Sequence, residues 1–122
     1  MKLEVLEKQF TICKLSDESQ IDYGDDFYFI GKTDEEISLV CHSECVPVNA
    51  TEYNSGWRAF RIQGQLDFSL VGVVSKISTL MADNRISVFV ISTYNTDYIL
   101  IKDTDFSRAL KLLEEAAYTM VY

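Results

Sequence analysis

The sequence predicts an α+β fold in which one antiparallel sheet is covered on one face by two helices, with a smaller strand-rich half upstream. Three observations predict it. Between Trp57 and Tyr122 the apolar period changes from two to between three and four, and does so twice. Two runs rich in β-branched and aromatic residues flank the turn residues Asn95-Thr96-Asp97. Upstream of Gly56 strand-like runs recur with no full-length amphipathic helix between them.

In the C-terminal half, Trp57-Arg58-Ala59-Phe60-Arg61-Ile62 alternates apolar and polar residues as a half-buried strand does, and it ends at Gly64. Leu70, Val73, Val74, Ile77, Leu80 and Met81 then recur at helical spacing on one face. Arg85 to Thr93 reads as a buried strand, and Tyr98 to Lys102 as its hairpin partner. Asp103 or Thr104 caps a second helix whose apolar face is Phe106, Leu110, Leu113 and Ala117, and Tyr118-Thr119-Met120-Val121 closes as a short strand. The order β-α-β-β-α-β is ferredoxin-like.

Residues 1 to 56 give strands at Phe10 to Leu15, Phe27 to Gly31 and Ile37 to His42. Ser16 to Ile21 allows one or two helical turns, and Ser43 to Pro47 is too short for a second helix. Val48 to Gly56 reads as a polar connection. This half is an abbreviated copy of the module in 57 to 122, and its open strand edges are best hidden by joining the second sheet side by side.

Composition narrows the function. The net charge is -8, and all of the excess lies in residues 1 to 56, with four Lys against twelve Asp or Glu, while residues 57 to 122 hold seven of each sign. Such a field disfavours nucleic acid and anionic membranes, which need clustered Lys and Arg. With no secretory signal or transmembrane run, and three cysteines in no disulfide pattern, a cytoplasmic location is expected. Cys41-His42-Ser43-Glu44-Cys45 collects potential metal donors, but a structural zinc site takes two separated ligand pairs and only Cys13 remains, so no metal is expected. A single histidine and the lack of a Gly-rich phosphate loop give no catalytic constellation and no cofactor site, so the chain does not read as an enzyme.

Several stretches carry a family resemblance. Trp57 to Gly64, Gly72-Val73-Val74 with Leu80-Met81-Ala82, and above all Ile86 to Leu100 resemble the small bacterial ACT-domain proteins. These are similar to the regulatory segments of aspartate kinases and to the arginine-sensing ACT proteins of animal nutrient signalling. Tyr28 to Cys41, with its Thr33-Asp34-Glu35-Glu36 turn, fits the same proteins. The resemblance implies two ACT units in one chain and an amino acid or other small ligand bound where two ACT modules meet. The first half departs from the pattern, since neither of its helices is full length.

Two segments are candidate ligand contacts. The loop that carries Asp67, Ser69, Leu70, Val71 and Gly72 leads into the first helix, whose unpaired N-H groups suit a carboxylate. Asp67 or Ser69 could instead cap that helix. The hairpin connection supplies Ser92, Thr93, Asn95, Thr96 and Asp97. Asp97 could meet a ligand's ammonium or guanidinium, as the resemblance to arginine sensors suggests, or satisfy turn amides. The expected function is a small-molecule sensor, most simply for an amino acid. The competing reading is an assembly module without a ligand, which pairs its sheet edges with a second copy as a homodimer or with another chain.

Overall fold

A computed structural model describes residues 1–64 and 72–122. The chain divides into two compact units, one made of Met1–Glu7 with Arg58–Tyr122 and the other of Lys8–Trp57. The division runs through two long strands, β1 (Lys2–Leu15) and β4 (Ala50–Ile62).

In the first unit the end of β4 is followed by α1 (Val73–Asp83), β5 (Phe89–Ser92), β6 (Asp97–Lys102), α2 (Asp103–Glu115) and β7 (Thr119–Val121). β5 and β6 form the expected antiparallel hairpin, with Phe89 opposite Leu100 and Ser92 opposite Asp97. Alternation along the strands sends Leu3, Val5, Phe60, Ile62, Ile99 and Ile101 to one face, where they meet Ile77 and Met81 of α1 and Phe106, Ala109, Leu110 and Leu113 of α2. The two helices therefore cover one face of a mostly antiparallel sheet.

The first residues of the chain are the departure. The sequence pattern places the first strand from Phe10, but β1 starts at Lys2, and its opening residues lie between β4 and β7. β7 pairs with β1 in parallel, with Lys2 opposite Thr119 and Glu4 opposite Val121. Leu3 and Val5 alternate with Lys2 and Glu4, which is the strand signal, and Leu6 interrupts it.

The strand after α1 and the end of α2 differ from expectation. The strand read from Arg85 is confined to Phe89–Ser92 because α1 closes with a Schellman motif. Ile86 N-H donates to Met81 C=O at 2.9 Å, Arg85 N-H donates to Ala82 C=O at 3.0 Å, and Arg85 takes φ 59°. α2 repeats the device with Tyr118 N-H on Leu113, Ala117 N-H on Glu114, and Ala117 at φ 72°. Ala117 is thus past the helix rather than on its apolar face. At the other end of α2 the cap position is Lys102, with no side-chain cap bond, so neither Asp103 nor Thr104 caps it. Asp103 and Asp105 stand in the first turn, where the helix dipole favours them.

The second unit holds the rest of β1 and β4 with β2 (Tyr28–Lys32) and β3 (Ile37–His42). β3 pairs antiparallel with both β1 and β2. Cys13, Leu15, Ile21, Leu39 and Cys41 form its core. In place of a second helix there is one 3-10 turn, Ser43–Cys45. The presumed connection Val48 to Gly56 is mostly strand, since β4 begins at Ala50, and its side chains up to Ser55 are largely exposed.

The two hairpins repeat each other. β3 and β6 are six residues each with the same sequence of burial, and they start at Ile37 and Asp97. The turns match as well, with Thr33 N-H on Glu36 C=O and Thr93 N-H on Thr96 C=O, each at 2.9 Å. Among the described residues no helix is long and apolar enough to cross a membrane.

Candidate functional site

A cleft of about 280 Å³ opens in the first unit where the end of β4 meets the β5 to β6 turn. Its lining joins Glu4 of β1, Arg61, Ile62 and Gly64 at the end of β4, Thr93, Asn95 and Thr96 of the turn, and Tyr98 of β6. The turn is fixed to its neighbour by one bond, since the hydroxyl of Thr96 donates to Ile62 C=O at 2.8 Å. Thr96 is 8% exposed, so this acceptor is paired away from water. Thr93 donates its hydroxyl to Thr96 C=O at 2.9 Å, which rigidifies the same four residues. Gly64 has φ 89°, a left-handed conformation that suits glycine as the chain leaves β4.

Arg61 and Tyr98 alternate to the sheet face opposite the helices, and Arg61 crosses to Glu4 on β1. Arg61 Nη2 donates to Glu4 Oε2 at 2.8 Å, and Nη1 donates to Tyr98 Oη at 3.2 Å. The guanidinium carbon lies 5.8 Å from the Tyr98 ring centroid. The Tyr98 hydroxyl bond raises the Arg61 pKa, burial opposes it, and Glu4 adds to the rise. The two charged side chains are 32% and 31% exposed. At that exposure an ion pair contributes about 0 to 1 kcal/mol to folding, so it is easily exchanged for another partner.

Of the sequence candidates, Thr93, Asn95 and Thr96 line this cleft. Ser92 and Asp97 face each other across the hairpin, and Ser92 donates its hydroxyl to Asp97 Oδ1. Gly72 is the N-cap of α1 with φ 83°, and its carbonyl accepts the first helical bond from Lys76 N-H at 2.9 Å. Asp67, Ser69, Leu70 and Val71 lie outside the described residues. Glu4, Arg61, Gly64 and Tyr98 were not among the candidates. Arg61 and Tyr98 sit at polar positions of alternating strands, which was the available signal, while Glu4 lies in a segment not read as strand.

In the second unit, His42 Nδ1 and Asp25 Oδ2 are 3.0 Å apart, and the imidazole stacks on Phe27 with centroids 5.5 Å apart. Cys45 Sγ donates to the same carboxylate oxygen at 3.5 Å. Desolvation works to raise the Asp25 pKa, but Cys45, His42 and the Phe27 amide together hold it lowered. Burial pushes the Cys41 thiol up to about 12 and raises Cys13 as well. Among the described residues no group of three or more His, Cys, Asp or Glu is placed to hold a metal ion.

Comparison with known proteins places this geometry in a family. A model of the ACT domain matches residues 52–115, and a separate N-terminal-domain model matches residues 8–49. A comparison with curated proteins finds no match. Among solved structures, a protein of Agrobacterium tumefaciens is 29% identical over 98% of this chain and 91% of its own, with a TM-score of 0.86. A Vibrio cholerae protein of unknown function is 19% identical over 91% and 85% of the two chains, with a TM-score of 0.71. The ligand-free regulatory subunit of aspartate kinase from Thermus thermophilus is 9% identical over 93% and 95%, with a TM-score of 0.65. The last two likenesses concern the fold. With more than half of its residues inside the domain model, the chain belongs to the ACT-domain family.

Proposed function

We propose that the protein is a regulatory module that binds a small molecule, an amino acid by class, in the cleft between the end of β4 and the β5 to β6 turn. The observation that carries this reading is the cleft itself. It gathers hydroxyls from Thr93 and Tyr98, the Asn95 amide and two opposite charges around about 280 Å³, below the size of most drug-binding pockets. Membership of the ACT family and the likeness to a kinase regulatory subunit support a regulatory role. The module acts by binding rather than by chemistry. A ligand regulates only through different affinities for two states, so the output is a changed assembly or partner contact.

Asp97 follows the lining residue Thr96 but is not itself part of the lining, and Ser92 donates to one of its carboxylate oxygens. A ligand's cationic group would meet either this carboxylate or Glu4 of the lining, and Asp97→Ala separates the two. Residues 1–56 are read as an abbreviated ACT-like half and 57–122 as a complete ACT domain, a reading that the repeated hairpin and turn bonds support. Isothermal titration with all twenty amino acids tests the reading. Binding of at least one, weakened by Asp97→Ala or Thr96→Val, is the expected result, and silence from all twenty at millimolar concentration removes the amino-acid version.

A specific observation also favours self-association. Among the described residues β5 pairs only with β6, and its four residues, Phe89–Ser92, carry no charge and no proline, so the edge lacks the usual protection against pairing. Sedimentation of the protein with and without ligand separates a homodimer from a monomer.

A further inference from the structure

We infer that the Glu4 and Arg61 ion pair is an exchangeable clasp that selects a small zwitterion with an uncharged side chain, the ligand's carboxylate replacing Glu4 on Arg61 and its ammonium replacing Arg61 on Glu4. This rests on the reading of the cleft as the ligand site and names the residues that choose the ligand.

Three features carry it. First, both members of the pair line the cleft, so a ligand there meets a guanidinium and a carboxylate side by side. A planar guanidinium presents a fork that matches a carboxylate with two parallel bonds. Second, Tyr98 accepts from Arg61 Nη1 while Glu4 accepts from Nη2. Arg61 is therefore held from one side by a neutral hydroxyl, and only its bond to Glu4 must open for a ligand to enter. Third, the two charges cancel when paired. A simple carboxylate that takes Arg61 leaves Glu4 without a cation, and a simple amine that takes Glu4 leaves Arg61 without an anion. A zwitterion repairs both losses at once, so discrimination comes from the group left unpaired.

The same charges set the side chain. A second guanidinium or ammonium on the ligand would face the cation that already holds its carboxylate. The proposal therefore excludes arginine and lysine.

The test is calorimetric titration of the full chain with L-alanine, L-serine and L-threonine, with N-acetyl-L-alanine and L-alaninamide as blocked forms, and with L-arginine. At least one of the three free amino acids should bind, and the blocked forms and L-arginine should bind about tenfold weaker or not at all. Arg61→Met should lower the affinity for the bound amino acid about tenfold or more, with Arg61→Lys intermediate because it keeps the charge and loses the fork. Glu4→Gln is the decisive variant. It should weaken the free amino acid while narrowing or reversing its advantage over N-acetyl-L-alanine, since Arg61 then accepts a carboxylate with no orphaned partner. Circular-dichroism melts confirm that each variant is folded, and Arg61→Lys serves if Arg61→Met is not. If an amino acid binds the parent and either blocked form binds as well, or if both Arg61 variants and Glu4→Gln leave its affinity unchanged, the clasp is overturned while the cleft survives. Binding of L-arginine in preference to the small amino acids overturns the selectivity. No binding by any of the panel or by the other amino acids overturns the functional reading together with the clasp.

Discussion

Thr96 and Ile62 are joined by a 2.8 Å bond from a buried hydroxyl to a main-chain carbonyl, and this contact fixes the β5 to β6 turn against the end of β4. Thr96→Val keeps the shape and leaves the carbonyl unpaired, so it should destabilise the protein by about 1 to 3 kcal/mol. Thr96→Ser should recover most of that. Urea denaturation of both variants decides between a hydrogen bond and mere packing, because packing alone would make valine the better replacement.

The two Schellman closures place Arg85 and Ala117 in the left-handed region, at φ 59° and 72°. Side-chain sterics there cost about 1 to 2 kcal/mol, offset in part by the greater freedom glycine has in the unfolded chain. Arg85→Gly and Ala117→Gly should therefore each raise stability by up to about 1 kcal/mol. Thermal melts that show a loss at both positions would contradict the assigned helix ends.

Cys13 and Cys41 are each 2% exposed, and burial raises both pKa values, that of Cys41 to about 12. Neither should react with a thiol reagent in the folded protein at pH 8, whereas the half-buried Cys45 should label first. Their effect on stability follows from the direction of the shift. Above about pH 9 the unfolded thiols ionise while the folded ones remain protonated, so the unfolded state binds fewer protons and stability falls as pH rises. Denaturation midpoints measured between pH 8 and 10.5 for the parent and for Cys41→Ala should diverge in that sense.

Asp25 has the opposite dependence. Its pKa is lowered in the folded state, so the stability it contributes is present above about pH 4 and is lost as pH falls below that. His42 is the single histidine, which makes its imidazole resonances easy to follow. Asp25→Asn should change them at neutral pH, since it replaces the carboxylate 3.0 Å from Nδ1. Unchanged imidazole signals in the variant would mean that the 3.0 Å contact to Asp25 does not persist in solution.

The legible parts of the fold were those with buried side chains. Ile77 and Met81 in α1 and Phe106, Leu110 and Leu113 in α2 leave a periodic mark, while β6 shows as a short apolar run with Ile99, Leu100 and Ile101 all buried. β3 is readable to the residue as the same kind of short apolar run, with Leu39, Val40 and Cys41 all buried. What the sequence hid was strand without burial. Residues 50 to 55 pair in β4 with mostly exposed side chains, so their polarity reads as connection. The site divided along the same line. Thr93, Asn95 and Thr96 announced themselves by turn chemistry, whereas Glu4 depends on a pairing between the start of the chain and strands far along it. No local pattern carries that information.

That pairing also sets an order of events in synthesis. Lys2 to Glu4 leave the ribosome well before their neighbours in β7, Thr119 to Val121, have been made. The sheet of the first unit thus closes only after β7 has been made, and Lys8–Trp57 is a continuous insert between its two parts. Contacts so distant along the chain are slow to form. The nascent protein must keep the Lys2 to Glu4 part of β1 unpaired on that side until β7 emerges.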